Sequence, residues 1–157
     1  MHAENATQRA ATPRSTERFA RQHDELKVLG KALAKELDTR SIAQDPARVR
    51  HALAVFSGKL RIHAAMEQHA LYPRLFADTA PEIVDRARRL EADVGPLYEA
   101  FFGYLAKWTP AGAIQADMEG FCRETMKQLF DLSIRMRREN EELYPMVDAL
   151  DERGSSR

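Results

Sequence analysis

The chain has one cysteine, Cys122, among 157 residues. That excludes an intramolecular disulfide and a cysteine zinc cluster. Net charge is missing too. Lys plus Arg and Asp plus Glu both number 24, so no excess of one sign points to nucleic acid or an anionic membrane as a partner. No apolar run is long enough to span a bilayer. The N-terminus has no apolar h-region of the kind a secretory signal carries, and a cytoplasmic protein is expected. Alternating apolar and polar positions, the mark of a half-buried strand, do not occur. Nor does a Gly-rich phosphate loop, a nucleophile–base pair or a cofactor fingerprint, so an enzyme is not expected.

What the chain does have is helical period. Residues 1–15 are polar and aperiodic and are read as a flexible N-terminal tail that includes His2. Residues 16–150 carry four long stripes, and residues 151–157 are read as a C-terminal tail. Thr16 is a candidate cap for the first helix, whose seam is Phe19, His23, Leu26, Gly30, Leu33 and Leu37. Asp45-Pro46 opens the second, with Val49, Leu53, Phe56, Leu60, His63, Glu67 and Ala70. Pro81 opens the third, with Ile83, Ala87, Leu90, Val94, Leu97, Phe101, Tyr104 and Trp108. The fourth runs Met118, Cys122, Thr125, Leu129, Leu132, Met136, Glu139 and Leu143, with Cys122 and Met126 read as core. Short connections and no strands give an all-α fold, an up-down-up-down four-helix bundle.

Polar residues interrupt these seams at His23, His63, Glu67 and Glu139. His63 and Glu67 are four apart, which puts both on one helix face within reach of a single metal ion. Their stretch ends in Leu71-Tyr72-Pro73 and has an echo 72 residues later, where Glu139 precedes Leu143-Tyr144-Pro145. The shift carries Glu67 onto Glu139, but His63 onto Arg135. Counting about 1.5 Å of rise per residue from each turn puts His23, His63, Glu67, Asp93, Arg135 and Glu139 in one zone of the interior. Gly95-Pro96 inside the third helix either curves it for packing or bends it so that Asp93 aims inward. His51 and His69 fall off the stripe and are read as solvated.

Taken together, His23, His63-x-x-x-Glu67 with its Leu-Tyr-Pro ending, and Glu139 with the second one make residues 16–150 resemble the hemerythrin family, or HHE cation-binding domains. The resemblance implies a four-helix bundle holding two irons bridged by carboxylates, with oxygen or iron as the thing bound or sensed. Carried across position by position, it makes His23, His63, Glu67 and Glu139 metal ligands. The family also expects histidines on the third helix, where this chain has Val94 and Tyr98, and one on the fourth, where it has Arg135. Arginine stays protonated and has no lone pair to offer a metal.

Three readings stand on these residues. The first is a single iron or zinc ion on His23, His63 and Glu67, with Glu139 or Asp93 as a further ligand and Arg135 as an accessory residue, and with open positions for a small ligand such as O2. The second is a carboxylate-rich two-metal site in which Asp93, Glu67 and Glu139 bridge, with Arg135 swung away. The third is a metal-free interaction or regulatory module, its former site now an Arg135–Glu–His polar core. None of them involves nucleic acid or a membrane, and a protein partner is not specified.

Overall fold

The computed structural model describes residues 14–156, all of whose regular structure is helical. Residues 1–13 of the tail expected at residues 1–15, His2 among them, lie outside the described residues. Four long helices carry the fold: α1 (Glu17–Lys35), α3 (Pro46–Ala70), α5 (Pro81–Trp108) and α7 (Met118–Arg138). Short helices fill the connections: α2 (Thr39–Gln44), α4 (Tyr72–Phe76) and α6 (Ala113–Ala116). A π turn, Glu139–Leu143, joins α7 to α8 (Tyr144–Ser155). No described helix is long and apolar enough to cross a membrane.

The boundaries follow local chemistry. Pro46 and Pro81 sit in the first turns of α3 and α5, where a missing N–H costs nothing. Asp117 caps α7 by accepting from Gly120 N–H at 2.8 Å. Gly112 enters α6 at φ +81°, the left-handed region glycine adopts most cheaply. Pro73 ends α3 and starts α4, which turns the chain over the end of the array. Asp38 does more than end α1. Its carboxylate accepts from Ser41 N–H at 2.8 Å and caps α2, which seats Ile42 against the core. Thr16 makes no side-chain cap. Its hydroxyl donates to Asp148 at 2.6 Å, tying the start of α1 to α8. Residues 151–155 continue α8, and Asp151 bonds Ser15 and Arg74.

The long helices bury two apolar clusters, one on either side of the polar zone. The larger holds Leu26, Leu33, Phe56, Leu60, Phe101, Trp108, Phe121 and Leu132, among others. The smaller holds Phe19, Leu71, Leu75, Leu90, Val94, Leu143 and Val147. α1 packs on α3 and α7, and α7 on α5. In the first two turns of α7 the inward residues are Phe121 and Thr125. Cys122 is only partly buried and Met126 is exposed, a departure from the expected core positions. Thr125 is accommodated because Tyr104 shares a hydrogen bond with its hydroxyl. His51 and His69 are exposed, as read from the stripe.

Gly30 lies where α1 crosses α3 and α7. A β-carbon there would meet Leu129 and Phe56 at 3.5 Å, an ordinary contact distance. Gly30→Ala should therefore stabilise the chain by about 1 kcal/mol, since alanine restricts the unfolded chain and favours helix. Urea unfolding of the two proteins checks this.

Candidate metal centre

Between the two apolar clusters His23, His63, Glu67 and Glu139 come together, each of them 0% exposed. One ligand atom from each lies within 4.8 Å of all the others. Donors about 2.1 Å from a shared ion stand roughly 3.4–4.2 Å apart, so a small contraction would close this set around one cation. His23 comes from α1. His63 and Glu67 come from adjacent turns of α3. Glu139 opens the π turn, in which Tyr144 N–H bonds the carbonyl of Glu139, five residues back. That wider turn keeps Tyr144 on the same inward face as Glu139.

Both imidazoles are held from behind. His63 Nδ1 lies 2.7 Å from Gln22 Oε1, and His23 Nδ1 lies 2.9 Å from Asn140 Oδ1. Each amide oxygen can only accept, so each Nδ1 donates and each Nε2 is turned inward. Outer partners of this kind orient metal-binding histidines. Inside, His23 Nε2 stands 3.1 Å from Glu139 Oε2 and 3.0 Å from the Tyr144 hydroxyl. Tyr144 donates to Glu67 Oε1 at 2.6 Å. His63 Nε2 is 2.9 Å from the same Glu67 oxygen, yet it makes no aligned hydrogen bond, and neither does Glu67 Oε2. Two fully buried donor atoms, close together and without hydrogen-bond partners, are a costly arrangement for a polar core. For residues facing a cation it is the expected one, and the donor set fits a metal ion.

Arg135 closes one side. Its Nε donates to Glu139 Oε1 at 2.5 Å, its Nη1 to the Val94 carbonyl at 2.6 Å, and its Nη2 stands 3.8 Å from Glu67 Oε2. The guanidinium lies over the Tyr98 ring, 3.1 Å from its centroid. On α5 Tyr98, and not the expected Leu97, takes the inward position between Val94 and Phe101, and Leu97 is half-buried. Asp93 does not join them. It is exposed and paired with Arg138 at 2.9 Å, so neither a bend at Pro96 nor a bridging role turns it inward. α5 runs through Pro96 as one helix.

Burial sets the electrostatics. It holds the Glu67 carboxyl above the usual range, opposed by the Tyr144 hydrogen bond and the positive neighbours. Burial and then the Glu67 charge do the same to Glu139. His63 is pushed down to about 4, by burial first and by His23 second, so it is neutral with its lone pair available at neutral pH. Burial works against the Arg135 charge as well, and the pull of Glu139, Tyr98 and Glu67 more than offsets it.

The structure thus brings together five of the six residues singled out in the sequence and leaves Asp93 at the surface. Sequence reasoning missed Gln22, Asn140 and Tyr144 as supporting residues. The signal for Tyr144 was present in the repeated Leu-Tyr-Pro ending. Gln22 precedes a seam histidine and Asn140 follows a seam glutamate, places where helical period predicts a boundary residue and nothing more.

A model of the hemerythrin HHE cation-binding domain matches residues 14–147. Neither the curated proteins nor the solved structures include a match to this chain. The family match takes in every residue of the buried cluster, and the chain belongs to the hemerythrin HHE cation-binding family.

Proposed function

We propose that this protein holds one iron or zinc ion on His23, His63, Glu67 and Glu139, in an up-down-up-down bundle made by α1, α3, α5 and α7. The observation that carries the reading is the orphaned pair, His63 Nε2 and Glu67 Oε2, buried among donors with outward-anchored imidazoles. Two histidines with carboxylates suit non-haem iron, and zinc accepts the same set. The bound ion would supply Lewis acidity or, as iron, a redox centre. His23 and His63 orient it through Asn140 and Gln22, Tyr144 fixes Glu67, and Arg135 compensates Glu139. A two-metal site is disfavoured because Arg135 fills the space beside Glu139 with a fixed positive charge, and Asp93 is elsewhere. The reading is of a cytoplasmic, non-enzymatic metal protein that binds or senses a small ligand such as O2.

Titration of chelator-stripped protein with zinc, and with ferrous iron under argon, tests it. Saturation near one ion per chain is expected, and saturation near two would count against it. Gln22→Leu should weaken binding by about 10–100-fold without removing a ligand, because it frees the His63 ring. An unchanged affinity would leave Gln22 with a packing role only.

One observation favours a second reading, a metal-free interaction module. The 2.5 Å bond between Arg135 and Glu139 already pairs two of the buried charges. It leaves Glu67 Oε2 and His63 Nε2 unaccounted for, which is why the metal reading is preferred.

A further inference from the structure

α1 packs closely on α3, and α7 on α5, but α3 and α5 approach each other at hardly any point. A half-open groove of about 580 Å³ lies between these two helices and shares no residue with the buried cluster. Its floor is apolar: Leu53, Leu105, Trp108 and Ile114, none more than 4% exposed. Short side chains keep it open, with Ala54, Ser57 and Gly58 on the α3 side and Ala106 on the α5 side. A β-carbon at Gly58 would meet nothing within 4 Å.

The rim has one sign of charge. Arg50, His51 and Arg61 line the groove and no described carboxylate does, in a chain whose acidic and basic side chains balance. Arginine is protonated at any working pH. Among the described residues neither guanidinium has a carboxylate partner, unlike the neighbouring Arg48, which holds Glu36 at 3.0 Å. Arg50 donates to the Thr109 carbonyl at 3.4 Å. Arg61 lies over the Phe102 ring, 5.2 Å from its centroid, and has no acceptor among the described residues. The two arginines stand about 16 Å apart along α3, so the groove is elongated. Its volume is that of a small-molecule site. A flat protein face would not reach so deep a floor, and Val55 and Ile62, the large apolar side chains that α3 exposes, do not line it. We propose that the groove binds a long-chain alkyl carboxylate, its chain over Leu105 and Trp108 and its head group on Arg61. The proposal does not depend on the metal reading.

Trp108 is the only tryptophan of the chain and lies in the groove, so its fluorescence reports occupancy. Titration of the full chain with dodecanoate, kept below the concentration at which it forms micelles, tests the proposal. A saturable change is expected, the same with and without chelator. Acetate, which lacks the chain, and dodecyltrimethylammonium, which carries the same chain on the opposite charge, should give none. Arg61→Gln should weaken dodecanoate by about tenfold, the loss of a charge-assisted hydrogen bond. Gly58→Leu puts a side chain into the groove at a helical position where leucine is favoured over glycine, so binding should be lost while resistance to urea holds or rises. No saturable change with dodecanoate would overturn the proposal, as would equal binding of the cationic amphiphile or an affinity untouched by both substitutions.

Discussion

Arg135→Leu should destabilise the metal-free protein by about 3–5 kcal/mol, the cost of leaving a buried charge without its partner. Arg135 is 3% exposed and Glu139 0%, so solvent cannot take over either role. The variant strands Glu139 Oε1, loosens Glu67, and frees the Val94 carbonyl that Nη1 now satisfies. Glu139→Leu in the same background should recover part of the loss, because the stranded carboxylate goes with it. Urea unfolding in chelator of the wild type, both single variants and the double one measures the coupling. Additive losses would mean that the two side chains are not a functional pair. Chelator matters here, because in the loaded protein Glu139 would also be answering to the ion.

His63→Ala carries the second large effect. It removes one of the two buried donor atoms of the cluster that have no hydrogen-bond partner, and it frees Gln22. Metal affinity should fall by more than the 10–100-fold expected when only an outer partner is lost. Stability gives an independent readout. A ligand at a hundred times its Kd adds about 2.7 kcal/mol to a protein that binds it only when folded. The wild type should therefore resist urea better with excess zinc, and His63→Ala should show no such gain. A variant that still gains would place the binding elsewhere in the chain.

Much of this centre was legible before any coordinates. Helical period put His23, His63, Glu67 and Glu139 on inward faces because apolar residues flank each of them at spacings of three and four. The 72-residue echo located Arg135 opposite His63 and identified it as a partner for a carboxylate. Asp93 was misjudged because height along a helix is a one-dimensional measure. Its level matched the cluster, but its direction, set by rotation about α5, took it to Arg138. Tyr98 went the other way. It stands four residues after Val94 and three before Phe101, so it and not Leu97 keeps the inward face of α5, and Leu97 is only half-buried. Gln22 and Asn140 were invisible for a different reason. Their roles are hydrogen bonds across helices, from residues 41 and 117 positions away in the chain, and no local period encodes such pairings. The short helix α2 shows the same limit at a turn, where no apolar period announces the helix that Asp38 caps.

These distinctions bear on what kind of family member this is. A guanidinium where its repeat partner has an imidazole gives the site a built-in cation. It balances the Glu139 carboxylate from the side, while Glu67 and the two imidazoles have no such fixed cation bonded to them.

Elemental analysis of freshly purified protein from metal-replete cells, read together with its absorption spectrum, is the most direct test. The account predicts about one iron or zinc per chain and no oxo-bridged di-iron band. Two irons per chain with that band, or a chain carrying no metal at all, would contradict it.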